Sequence, residues 1–139
     1  MLLNALTALG GSPDRYLVDY RSSISADYLQ AWPISIIHPE AEVDLDAVKQ
    51  SGAKVLAYVS VVEVAADARY ANAVKEAGLQ PATHNATWNS SVMDLHDPEW
   101  RKFVAQQLVK TRVEQGFDGF FLDTIDSAEF LIATDRANE

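Results

Sequence analysis

The residues best suited to chemistry in this chain are carboxylates that close apolar runs. Residues 116–127 read GFDGFFLDTIDS, where Phe120, Phe121 and Leu122 end abruptly at Asp123 and Asp126 follows three positions later. An apolar run without polar alternation predicts a buried parallel strand, and ligands and catalytic groups gather at the carboxyl ends of such strands. Asp123 is therefore the first candidate catalytic group. Glu63 is the second, because it follows KVLAYVSVV at 54–62, the longest β-branched run in the chain. Partial burial beside that strand is expected to raise its pKa and favour an acid role. Strand parity complicates this expectation. Tyr58, Ser60 and Val62 share one face while Glu63 alternates with them, so Glu63 reaches their side only where the chain bends after Val62.

Other chemistries find no support. His38, His84 and His96 are scattered without HxH or HExxH spacing, so no metal site is expected. There is no GxGxxG or GxxxxGK[ST] for nucleotide phosphates and no GxSxG elbow. The chain has no cysteine, which excludes disulfides and thiol catalysis. No cofactor is implied.

The elements that must position these groups follow in order. A breaker cluster, Gly10-Gly11-Ser12-Pro13, precedes a short strand from Tyr16 to Tyr20. Ser25 caps a helix carrying Tyr28, Leu29 and Trp32, and Pro33 stops it. Ile34 to Ile37 is the second strand. Asp44 caps a helix with Leu45 and Val48 on one face, ended by Gly52, and Lys54 to Val62 is the third strand. Residues 65–80 read as a helix or a partly irregular connection, and Pro81 to Ser91 as loop. Val92 to Leu95 is a short fourth strand. Asp97-Pro98-Glu99 starts a helix strongly, with Asp97 as cap only, and Trp100, Phe103, Val104, Leu108 and Val113 form its apolar stripe. Gly116 ends it, strand five follows, and another helix is expected over Ala128 to Ala133. Strand-helix pairs at intervals of roughly 20 to 35 residues mean an α/β fold with a parallel sheet, either open or closed.

At 139 residues, with 48% hydrophobic and 22% charged, the chain is expected to be one domain over 1–139 with a real core. Its formal charge of −9, from 20 acidic against 11 basic residues, argues against nucleic acid and anionic membranes and favours a neutral or cationic ligand. No apolar stretch reaches the roughly 18 residues that span a bilayer. The opening MLLNALTALGG lacks a basic n-region, so no signal peptide is evident.

Three segments, VLAYVSVVEV at 55–64, VMDLHDPEWRKFV at 92–104 and GFDGFFLDTIDS at 116–127, together resemble the TIM-barrel glycoside hydrolases of the endo-α-1,4-polygalactosaminidase type, family 114, and the related Pel-polysaccharide hydrolase domains. The resemblance runs from about Tyr20 to Leu131. It implies a partial (β/α)₈ barrel, about the first five βα units, acting on galactosamine-rich polysaccharide without a cofactor. It also implies export, extracellular or periplasmic. Two departures stand out. The related domains usually carry glycine where this chain has Val62, and a full barrel takes about 250 residues. The chain is thus expected to be cut short at its C-terminus, lacking late strands that in the family add acidic groups.

Glycoside hydrolysis uses two carboxyl groups, one protonating the leaving oxygen and one attacking the anomeric carbon or activating water. Asp123 and Glu63 are the candidates here. Tyr20, His38, Tyr58 and Trp88 lie at or near expected strand ends, where rings can stack on pyranose faces. Asp94 and Asp126 are candidate sugar contacts, with backbone hydrogen bonding and helix capping as their structural alternatives. The competing reading is a catalytically incomplete barrel that binds carbohydrate without turnover. Outer strands one and five would then leave sheet edges open to self-association.

Overall fold

The computed structural model describes residues 15–129 and Leu131. The opening segment, the Gly10-to-Pro13 breaker and the rest of the helix expected to Ala133 lie outside the described residues. Packing divides the chain into two compact units. The described part of the first takes in residues 15–59 and Thr111–Phe121, and that of the second Ser60–Lys110, 122–129 and 131.

The first unit is organised by parallel strands. β1 (Leu17–Asp19), β2 (Ile34–Ile37) and β3 (Lys54–Ser60) pair in parallel, Leu17 facing Ser35 and Ile36 facing Leu56. β7 (Gly119–Asp123) completes a four-stranded sheet of order β1-β2-β3-β7. The Asp118 amide donates to the Val55 carbonyl and the Val61 amide to the Asp123 carbonyl, so β3 and β7 ascend together. The crossovers are short helices, α1 (Ala26–Gln30) and α2 (Leu45–Gln50), with Ser25 and Asp44 accepting from the Tyr28 and Ala47 amides as caps. Both helices bury their apolar side, Leu29 and Val48, against Ile37, Val55 and Ala57. Alternation along β3 explains the layering: Val55, Ala57 and Val59 are buried, while Leu56, Tyr58 and Ser60 on the opposite face are half-buried.

Strand β7 departs from its expected burial. Phe121 and Leu122, consecutive and so on opposite faces, are 38% and 49% exposed, as fits an outer strand of this sheet. Phe120 is partly buried and packs against the first unit's core.

The second unit contains an element that periodicity did not reveal. β4 (Glu63–Ala65), β5 (Thr83–Asn85) and β6 (Ser90–Val92) form an antiparallel sheet of order β4-β6-β5. The expected strand at Val92 to Leu95 thus belongs to this sheet, begins at Ser90 and ends at Val92. The expected loop at Pro81 to Ser91 is a hairpin whose turn holds Asn89 at φ 49°. Three-residue strands are too short to show a period of two, which is why they read as loop. α3 (Ala71–Glu76) occupies the ambiguous 65–80 segment.

The long helix begins at α4 (Pro98–Phe103), continues through a π-helical stretch at Val104–Val109, and ends as α5 (Lys110–Gln115). Asp97 caps it by accepting from the Glu99 amide at 2.9 Å. The wider π turn moves the inward face from Phe103 to Leu108 and then to Arg112. Val113, expected in the stripe, is 57% exposed as a result. Gly116 at φ 96° ends the helix, its left-handed backbone making the turn into β7.

Candidate active site

Strand β3 stops at Ser60, two residues earlier than the apolar run suggests, and the chain turns through Val61 and Val62 to start β4 at Glu63. The bend is held by Thr124, the residue after Asp123. Thr124 Oγ1 accepts from the Val62 amide at 3.0 Å and the Glu63 amide at 3.2 Å, and lies 2.9 Å from Ser60 Oγ. Ser60 Oγ donates to the Glu63 carbonyl at 2.6 Å, which uses its single proton. Thr124 must therefore donate to Ser60, so one hydroxyl fills one donor and two acceptor positions. Thr124 sits at φ 66°, ψ 15°, in the left-handed region that a β-branched residue rarely enters. Such backbone strain is worth roughly 1–3 kcal/mol and persists where the surroundings over-determine it.

The Glu63 carboxylate is buried, with 6% of the residue exposed. Its Oε1 accepts from Asn85 Nδ2 at 2.9 Å and from the Ser127 hydroxyl, and its Oε2 accepts from the Ser90 hydroxyl. Asn85 comes from β5, Ser90 from β6, and Ser127 from the 3₁₀ turn Ile125–Ser127 beyond β7. Burial by itself raises the Glu63 pKa, but the hydrogen bonds from Ser127, Ser90 and Asn85 outweigh it and hold the carboxyl below the ordinary range. The direction is thus opposite to the expected rise, because three donors favour the anion. Glu63 is buried and is not a surface acid.

Asp123 closes β7 and is half-buried. Its backbone carbonyl is engaged by Val61, but its carboxylate accepts no hydrogen bond among the described residues. It caps neither the 3₁₀ turn nor the helical residues after it, since the residue preceding that turn is Thr124 and no side chain caps it. The result is a strand-end carboxylate left to solvent on a backbone clamped at both sides.

The remaining candidates separate by unit. In the second unit, Asp126 is exposed on the 3₁₀ turn and makes no side-chain hydrogen bond among the described residues, so it does not act as a cap. Asp94 accepts from the His96 amide at 2.8 Å and pairs with His96 Nδ1 at 3.0 Å. That amide bond is the main reason its pKa is lowered. It is the loop hydrogen bond named as its structural alternative. Trp88 is 75% exposed in the β5–β6 hairpin turn and follows no parallel strand in sequence. In the first unit, Tyr20 and His38 follow the ends of β1 and β2 as expected. The Tyr20 and Tyr58 rings meet edge to face at 5.2 Å, and Tyr58 stacks with Phe121 at 6.4 Å. His38 Nδ1 accepts from the Glu40 amide at 3.3 Å.

The model of glycoside-hydrolase family GH114 matches residues 14–138. The chain belongs to glycoside-hydrolase family GH114. Among solved structures, the glycoside hydrolase domain of PelA from Pseudomonas aeruginosa is 31% identical, with a TM-score of 0.68 over 82% of this chain and 46% of that one. A variant of the same PelA domain is 29% identical, with a TM-score of 0.64 over 81% of this chain and 45% of that one. Ega3 from Aspergillus fumigatus, solved in complex with galactosamine, is similar in fold, with a TM-score of 0.63 at 16% identity over 83% of this chain and 45% of that one. No curated protein matches the chain. This GH114 chain spans less than half the length of each of these structures, and its parallel α/β architecture is that of a partial barrel. No helix of its described residues is long and apolar enough to cross a membrane.

Sequence reading missed Thr124, Asn85, Ser90 and Ser127. All four act through short polar side chains on turns or three-residue strands, where no periodicity marks the inward face. The one available signal was Thr124 itself, a hydroxyl directly after the strand-end Asp123.

Proposed function

We propose that this GH114 chain hydrolyses glycosidic bonds in a galactosamine-rich polysaccharide, with Asp123 as the reacting carboxylate. The observation that carries the reading is Asp123 itself: an unengaged carboxylate at the end of a parallel strand, on a backbone anchored through Thr124 and Val61. Family membership supports the reaction class, and the galactosamine bound to Ega3 supports the sugar. An amino sugar with a free amine is cationic, which suits a chain of charge −9. Tyr20, His38 and Tyr58 are proposed as sugar-contacting groups of the first unit, and Asp126 of the second.

The test is release of reducing ends from galactosamine oligosaccharide by the native chain and by Asp123→Asn. A carboxylate that takes part in the bond-breaking step predicts a loss of at least about 100-fold in kcat. Equal activity in the two would refute the assignment. The second reading, a module that binds carbohydrate without turnover, is supported by the engagement of Glu63, one of the two expected acids, whose buried carboxylate already accepts from three side chains. Measurable affinity with no release of reducing ends in either chain would establish it.

A further inference from the structure

We propose that Glu63 is a positioning residue, an anionic anchor that fixes the Asp123–Ser127 turn in place through Ser127 and Thr124. The inference rests on Asp123 being the reacting group, and it assigns Glu63 a role other than attacking or protonating the sugar.

Three observations lead there. Both Glu63 oxygens accept from donors that are themselves buried: Asn85, Ser90 and Ser127 are 8%, 2% and 6% exposed. Three of its roughly four acceptor positions are taken, and the group is buried at 6% exposure, so its chemistry is turned toward these protein donors. Second, its partners come from β5, from β6 and from the turn after β7, so one side chain joins the hairpin to the segment carrying Asp123. Third, the Glu63 main chain makes the same connection, its amide donating to Thr124 Oγ1 and its carbonyl accepting from Ser60. The turn is thus held at Thr124 by the backbone of Glu63 and at Ser127 by its side chain. The two points bracket Ile125 and Asp126 and follow Asp123 directly. A buried charge satisfied by three neutral donors has a large penalty if any partner is lost, so the anchor is stiff.

The test compares Glu63→Gln, Ser127→Ala and the double variant in the whole chain. It reads both kinetics on galactosamine oligosaccharide and amide hydrogen exchange. Positioning predicts that each single variant lowers kcat by about 10- to 100-fold, since a displacement of the reacting group by a fraction of an ångström has that scale of effect. KM stays within about twofold, because uniform binding is untouched. The double variant is no worse than the worse single, as expected for two residues acting as a unit. Ser127→Thr, which keeps the hydroxyl, restores most of the activity. Exchange of the Val61 and Ser127 amides, which donate to the Asp123 and Thr124 carbonyls, accelerates in both single variants.

A loss beyond about 10⁴-fold in Glu63→Gln with Ser127→Ala unaffected would make Glu63 a reacting group and overturn the proposal. Unchanged exchange at Val61 and Ser127 would overturn it as well. Exchange needs no turnover, so a chain that hydrolyses nothing still decides the matter. Faster exchange then supports the anchor while the glycosidase reading fails by itself.

Discussion

Thr124 joins local strain to function within one residue. Its left-handed backbone is unfavourable for a β-branched side chain, yet in that conformation its hydroxyl meets the amides of Val62 and Glu63 together. Thr124→Val keeps the shape and removes the hydroxyl, leaving two amides without partners. Each such group is worth about 1–3 kcal/mol, and thermal unfolding should show a loss of that order, with Thr124→Ser recovering most of it. Glu63 adds a pH dependence whose sign follows from its lowered pKa. A carboxylate depressed in the folded state contributes stability that is fully present above its unfolded pKa and is lost as pH falls through its folded one. Native chain should therefore weaken on acidification below the ordinary glutamate range. Denaturant titrations of Glu63→Gln across the same acidic range should show a shallower pH dependence. An identical slope would mean that Glu63 titrates alike in both states.

At the level of elements, the helix from Pro98 to Gln115 shows how much is set by its ends. Asp97 caps it, Pro98 takes the first helical position where no amide bond is lost, and Gly116 turns the chain out. Within it, Trp100 is fully buried and its Nε1 donates to the Val61 carbonyl at 3.0 Å, the residue whose amide reaches Asp123. The helix therefore supports the same bend that Thr124 holds from the other side. Asp97→Ala should lower stability by about 1 kcal/mol, the usual value of an N-cap, measured by denaturant unfolding. Asp97→Asn, which can still accept, should lose little. An equal loss in both would mean that Asp97 acts by charge alone.

For the molecule as a whole, charge is the property most directly tied to the proposed substrate. A net −9 acts on a cationic polymer over a distance set by ionic strength, from about 30 Å at 0.01 M to about 3 Å at 1 M. Affinity for oligosaccharide with free amines should fall steadily with added salt, and for the fully N-acetylated oligosaccharide it should stay nearly flat. Titration calorimetry at several salt concentrations reads both. Salt-independent binding of the free amine would remove electrostatic attraction from the account. The four-stranded sheet also ends in β1 and β7, the two outer strands expected of an incomplete barrel, with Val18, Phe121 and Leu122 partly exposed on them.

The parallel strands, the caps at Ser25, Asp44 and Asp97, the helix-ending glycines Gly52 and Gly116, and Asp123 at a strand end were all legible in the residues. Each depends on contacts a few positions apart or on an apolar run several residues long. The antiparallel β4-β6-β5 sheet, the π turn that exposes Val113, and the fate of Glu63 were not legible. Burial alone raises a carboxyl pKa, and only the fold could bring Asn85, Ser90 and Ser127 together, 22, 27 and 64 residues away in sequence, to reverse that direction. Local chemistry determined where the carboxylates stand along the chain. Long-range hydrogen bonding decided which of them is buried and engaged, Glu63, and which accepts no hydrogen bond among the described residues, Asp123, because a buried anion takes its properties from neighbours that no short window contains.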